Sequence, residues 1–388
     1  MRHAVVVDIV RTPSGKGKPG GALSGVHPVD LYATVLRALV ERTGLDPGRV
    51  EDVITGCVSQ AGQQAMNVAR TAVLAAGWPA SVPATTIDRQ CGSSQQAMHF
   101  AAQGVMAGAY DIVVAGGVES MSRVPMGVTT MGEDWQGPAV ARRYPDGLVG
   151  QGVSAELVAH RWRLSRERLD GYAARSHRLA AETAATGGFD DEIVPVDGVT
   201  ADETVRPATT EAGLAGLRTA FDVPDLRDRF PDLDWRITAG NSSPLTDGAS
   251  AALIMAEDVA ARLGLRARAR FHAFAVAGDD PLLMLTAPIP ATRMVLERAG
   301  LGIDAIDAYE VNEAFAPVPL AWLAEIGGDP DRLNPRGGAI ALGHPLGASG
   351  VRLMATMLNH LEATGGRYGL QTMCEGGGMA NATVVERL

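Results

Sequence analysis

The chain has 388 residues, room for about two or three domains and for a core that needs no disulfide or metal staples. Hydrophobic residues make up 46% and charged residues 20% of it, which excludes disorder, collagen and coiled coil. A net charge of −10 and an aromatic content of 5% argue against a basic groove or stacking platform for nucleic acid, and no apolar run has the length of a membrane span.

The first element is an alternating strand, AVVVDIV, followed by a Gly-rich loop and a helix from about Pro28 to Thr43. Strands are expected at DVITGCV and VVAGGV, with helical stretches between them. Such alternation points to an α/β sheet with helices on both faces. From Ser120 to about Asn241 the composition turns to Gly, Pro, Asp and Arg, with one long helical run expected over Ser154–Ala185. This stretch reads as an insertion. The strand-and-helix rhythm resumes at ASAALIMAEDVAARLGL. The second half then repeats the first in outline: a small-residue turn, an apolar-periodic helix, a Gly turn, a strand and a Gly-rich turn. A duplicated unit places two equivalent helix starts near one axis, and Cys91 and His344 both lie just before those starts.

Four residues could carry chemistry. Cys91, in DRQCGSSQQA, precedes a helix whose positive end and free N–H groups favour a thiolate and can hold an oxyanion. Its plainer alternative is a small buried hydrophobe. His344, in NPRGGAIALGHPLGASG, sits among small residues that admit a ligand, and could take a thiol proton or merely close a turn. Cys374 ends an apolar strand before Gly376, Gly377 and Gly378, where α/β sheets place their sites, or is simply core. Asn312, in EVNEAFAP, could hold a water or orient an imidazole, or could cap a helix. Cys57 reads as core. Three scattered cysteines make neither a disulfide framework nor a zinc site. The start shows no apolar leader and the end, VVERL, no peroxisomal address, so the expected compartment is the cytoplasm.

Taken together, GGVESMSRVP, AGNSSPLTDGAS, VNEAFAP, GGAIALGHPLGASG and CEGGG strongly resemble the motifs of the thiolase family of acyl-CoA acyltransferases, in family order and over nearly the whole chain. The resemblance implies a five-layered αβαβα core of two duplicated halves with an inserted loop domain. The corresponding division is 1–119 for the N-terminal half, 120–244 for the loop domain, 245–265 for the rest of that half and 266–388 for the C-terminal half. It implies Cys91 as the acylated nucleophile, His344 as its activator and Cys374 as the second acid/base. Asn312 would hold a water that, with His344, forms one oxyanion hole. The N–H groups of Cys91 and Gly376 would form the other. CoA and acyl-CoA are then substrates, with no permanent cofactor and no metal. Ala239 and Ser243 would line the pantetheine, Arg218 would approach the nucleotide and Phe315 would pack on the tunnel. Homodimers or homotetramers are implied.

The sequence departs from the commonest pattern at Gln151, where biosynthetic members often carry Met, at Arg336 and at Ala380. Glu375, beside Cys374, is expected to face away from the thiol, because successive strand residues alternate. A ketoacyl synthase is disfavoured by Asn312 and Cys374. A non-enzymatic acyl-CoA-binding relative is disfavoured by the intact set of Cys91, His344, Cys374 and Asn312. Degradative thiolysis is the favoured direction, with biosynthesis of acetoacetyl-CoA as the alternative.

Overall fold

A computed structural model describes residues 2–388. Ten strands form one continuous hydrogen-bonded sheet system: β1 Ala4–Arg11, β2 Gly15–Lys16, β3 Asp52–Gly56, β4 Ala84–Ile87, β5 Ile112–Ser120, β6 Thr246–Ala256, β7 Ala269–Gly278, β8 Ala308–Val311, β9 Tyr368–Glu375 and β10 Met379–Arg387. Their order is β4-β3-β5-β6-β1-β7-β10-β9-β8, with β2 beside β6. The helices are α1 Pro28–Thr43, α2 Val68–Ala75, α3 Ser93–Ala107, α4 Gly137–Arg143, α5 Gln151–Arg161, α6 Arg166–Ala185, α7 Glu211–Ala215, α8 Pro224–Arg229, α9 Glu257–Arg262, α10 Pro288–Ala299, α11 Pro317–Ile326, α12 Ala339–Leu342 and α13 Ser349–Thr364.

The two halves follow the same plan. In the first, β3 and β5 are parallel, β6 runs antiparallel to β5 and β1 antiparallel to β6. In the second, β8 and β9 are parallel, β10 runs antiparallel to β9 and β7 antiparallel to β10. The halves join through only two paired positions, Val5 with Arg270 and Val6 with Ala269. Helices α1 and α2 cover the outside of the first half, and α10 and α11 the outside of the second. Helices α3 and α13 pack on each other between the two sheets. That is the five-layered α/β arrangement.

The middle layer is built close. A Cβ on Gly350 of α13 would come within 2.2 Å of the Gln95 backbone N of α3, and one on Gly117 within 2.0 Å of Gly347 O. Only glycine lets these backbones touch. Glu119 then ties the halves together. Its buried carboxylate accepts from the N–H groups of Val58, Ser59 and Gly347 and from Gln64 Nε2.

Between β5 and β6 the chain carries helices α4 to α8 and no strand. The helical run over 154–185 is two helices rather than one. Arg163 adopts a positive φ of 53°, and Ser165 caps α6 by accepting from Arg168 N–H. Ser165 with Glu167 in the first turn is an ordinary helix-start signal that overrides the continuous apolar periodicity.

Candidate active site

Cys91 lies in a tight loop between β4 and α3. Gln90 before it is held at φ 49°, a left-handed conformation that side-chain-bearing residues seldom adopt. Gln90 N–H donates to Asp88 Oδ1, Arg89 N–H donates to Ser93 Oγ, and Ser93 Oγ donates to Gln90 O. These bonds hold the strained turn. Helix α3 starts at Gly92 with no side-chain cap, and α13 also starts without one. By contrast, α1, α2, α6 and α7 are all capped by side chains. At these two starts the backbone is served from nearby instead: Ser93 N–H donates to Gln90 O, and Val351 N–H of α13 donates to Ser94 Oγ of α3.

His344 is held from three sides. Its backbone N–H donates to Thr246 Oγ1 at 2.9 Å. Ser349 Oγ donates to Pro345 O at 3.0 Å and sits 2.6 Å from His344 Nδ1. Assigning the Ser349 proton to Pro345 O makes the hydroxyl an acceptor and places the imidazole proton on Nδ1. Nε2 is then the basic nitrogen, and it faces the Asn312 side-chain amide at 3.3 Å. Burial, helped by the charge of Arg352, pushes His344 down to about 3, so the ring is neutral. Asn312 follows β8 directly and is fully buried. It does not cap α11, which begins five residues later at Pro317. Its Oδ1 has no partner among the described residues.

Both thiols are buried and free. The helix-end argument predicts a lowered Cys91 pKa; burial wins instead and pushes it up to about 12. Gln151 Nε2, 3.9 Å from Sγ, offsets this in part. Burial likewise pushes Cys374 well up, and a charge on Cys91 pushes it further, so the two thiols lie within electrostatic reach. The two thiols and the His344 imidazole are thus all neutral at rest. A thiolate forms only when its proton is taken during attack.

Gly376 lies over the same turn: a Cβ there would meet Gln90 Oε1 at 2.9 Å. Strand alternation does turn Cys374 and Glu375 to opposite faces. Cys374 packs with the α10–α11 core, while its neighbours Met373 and Gln371 face the inner helices. However, that inner face is where α3 begins, and Glu375 lies against Gly92. Cys57 is core, as its alternation implies.

Of the residues expected to meet CoA, Ser243 and Phe315 connect through a run of contacts to Gly152, beside Gln151. Ser243 N–H and Oγ both donate to Ala314 O. Ser242 bridges to Phe315, whose ring meets Phe221 edge-on with centroids 6.3 Å apart. Phe221 in turn leaves no room for a side chain on Gly152, next to Gln151. Ala239 is exposed, and Arg218 is exposed on the neighbouring segment that pairs through Thr219 and Thr238. Arg218 makes no ion pair among the described residues.

Sequence reasoning passed over several supports. Thr246 and Ser349 fix His344, and Glu313 braces the turn after Asn312 by accepting from Tyr172, Ser176, Asn334 and the Ile340 N–H. Glu119 and Glu313 both lie within motifs, GVESM and VNEAFAP. A carboxylate inside a mostly apolar motif was the available signal.

Two family models match the chain: Thiolase, N-terminal domain, over residues 4–258, and Thiolase, C-terminal domain, over residues 265–387. The chain belongs to the thiolase family. It is 48% identical over 400 residues to a steroid 3-ketoacyl-CoA thiolase, FadA6, of Mycobacterium tuberculosis, covering 100% of this chain and 95% of that one. It is 44% identical to a 3-ketoacyl-CoA thiolase of Serratia proteamaculans, each covered over 100%. The solved acetyl-CoA acetyltransferase of Bacillus anthracis superposes with a TM-score of 0.89 at 36% identity, over 100% of this chain and 99% of that one. Thiolases are acyl-CoA acyltransferases that take CoA and acyl-CoA as substrates and carry no permanent cofactor. No helix among the described residues is long and apolar enough to cross a membrane.

Proposed function

We propose that this thiolase cleaves 3-ketoacyl-CoA by a ping-pong reaction on Cys91. Nε2 of His344 takes the thiol proton as Sγ attacks the 3-keto carbonyl. The C2–C3 bond then breaks, leaving the acyl group on Cys91 and an acetyl-CoA enolate that Cys374 protonates. CoA thiol attacks the acyl-Cys91 thioester and leaves with the acyl group. The developing oxyanions are met by Asn312 with His344, and by the N–H groups of Cys91 and Gly376. Ala239, Ser243 and Phe315 line the pantetheine, and Arg218 approaches the CoA phosphates.

The observation that carries this reading is the setting of the His344 ring. Ser349 Oγ meets Nδ1 at 2.6 Å and the Asn312 amide meets Nε2 at 3.3 Å, which suits a proton on Nδ1 and a basic Nε2. A neutral thiol needs such a base, and this ring is built as one. Similarity to 3-ketoacyl-CoA thiolases supports 3-ketoacyl-CoA as substrate and thiolysis as direction. We read the chain as a homodimer or homotetramer of the cytoplasm, with 120–244 as its inserted loop domain.

Intact-mass spectrometry tests this directly. Mixed with acetoacetyl-CoA, the wild type gains one acetyl group, Cys91→Ala gains none, and added CoA removes the adduct. A series from acetoacetyl-CoA through longer and steroid-derived 3-ketoacyl-CoA thioesters then ranks substrates. Absence of an adduct with every member sinks the reading in favour of an acyl-CoA-binding role.

A further inference from the structure

Glu375 closes β9 directly after Cys374. It is fully buried within the chain, and neither carboxylate oxygen has a hydrogen-bond partner among the described residues. This is unlike Glu119 and Glu313, whose buried carboxylates each accept four hydrogen bonds. An unserved buried carboxylate keeps its proton rather than bear the cost of a bare charge. Burial pushes Glu375 up to about 8, with the charge of Arg89 holding it down, Asp88 pushing it up and the nearby backbone N–H of Asn381 holding it down slightly.

Its position is set by backbone contact. A Cβ on Gly92 would lie 2.0 Å from Glu375 Oε1 and 2.8 Å from Asn381 Nδ2. The carboxyl group therefore lies beneath the first residue after Cys91. The groups around it are few. The loop before α3 supplies Asp88, Arg89 and Cys91, β9 supplies Cys374, and β10 supplies the neutral amide of Asn381, which donates to Gly92 O. A negative charge on Glu375 pushes up both thiols.

We propose that Glu375 is a positioning residue for the thiol chemistry: a neutral acid beneath Gly92 that keeps the floor of the site uncharged, and whose ionisation in alkaline solution handicaps Cys91. The inference rests on Cys91 being the nucleophile. It gives this chain an alkaline brake that a neutral side chain at position 375 would remove.

The test is iodoacetamide alkylation of Cys91, followed by peptide mass from about pH 6 to pH 10 with no acyl-CoA present. The Cys91 thiol stands near 12, so its alkylation rate rises about tenfold per pH unit across this range. In the wild type that line breaks near pH 8 and continues parallel but lower. Glu375→Gln gives an unbroken line, equal to wild type at the acid end and about tenfold faster at the alkaline end. Glu375→Leu, uncharged and of similar size, gives the same line and serves if the amide variant does not fold. A wild-type line that runs straight through this range overturns the proposal without any variant. A break that persists in either variant also overturns it. Failure of Cys91 to take an acyl group, measured separately by intact mass, sinks the nucleophile reading and leaves this profile unchanged.

Discussion

The starts of α3 and α13 are equivalent in the duplicated fold and are built in opposite ways. Before α13, His344 is fixed at its backbone and at both ring nitrogens. Before α3, the Cys91 sulfur meets the Gln151 amide only weakly, at 3.9 Å, while the strain sits in the backbone beside it at Gln90. One half of the molecule holds an imidazole still. The other half holds the backbone of a cysteine still and leaves its sulfur loosely held. The proposed reaction would use that difference. In it the sulfur accepts and releases an acyl group, whereas the imidazole presents one lone pair.

The contrast can be broken from either side. Removing the base, His344→Ala, should lower thiolysis by about 10²–10⁴-fold, while Cys91 still alkylates with iodoacetamide. Loosening the base comes next. Ser349→Ala frees the Nδ1 proton and lets the ring change tautomer. The expected loss is about 10–100-fold in kcat with little change in KM, measured in steady-state thiolysis. Equal loss in His344→Ala and Ser349→Ala would show that Ser349 does more than orient the ring.

The floor beneath the nucleophile gives the next effect. Glu375 titrates near 4.5 in the unfolded chain and is raised to about 8 in the fold. Below the lower value both states hold the proton and stability is unaffected. Between the two values only the folded state holds it, so stability falls as pH rises and then levels off. Glu375→Gln should therefore melt above wild type at about pH 9, by on the order of a few kcal/mol. The gap should close in acid, as read by thermal melts across pH. A gap independent of pH would assign the change to packing. The smallest effect is strain. Gln90→Gly relaxes the φ of 49° and should alter stability by about 1 kcal/mol or less. Its larger consequence should be slower acylation, because the turn that aims Cys91 loses its stiffness.

Much of this was legible beforehand. The alternation in AVVVDIV, the turn glycines and the repeated order of elements led to a duplicated α/β fold, and Pro28–Thr43 is a helix over the residues its pattern suggested. The residues proposed to share one site, Cys91, His344, Cys374 and Asn312, were singled out in the sequence by their Gly-rich turns and strand ends. Two things were not readable from spacing. The Cys91 pKa depends on how completely the thiol is buried, and burial outweighs the helix end. The supports Thr246 and Ser349 are ordinary hydroxyl residues whose role appears only when distant segments meet. Glu375 shows the limit of a strand rule: alternation says which face a side chain takes, but not what waits on that face.

The four hydrogen bonds on Glu119 also bear on whether the chain can be divided. Three come from the first half and one from Gly347 in the second. A chain cut between residues 258 and 265, where the two family matches part, would leave Glu119 in the first piece without its Gly347 donor and would part α3 from α13. Each piece would then expose one inner helix and lose the contacts that the other supplies, so the two halves stand or melt together.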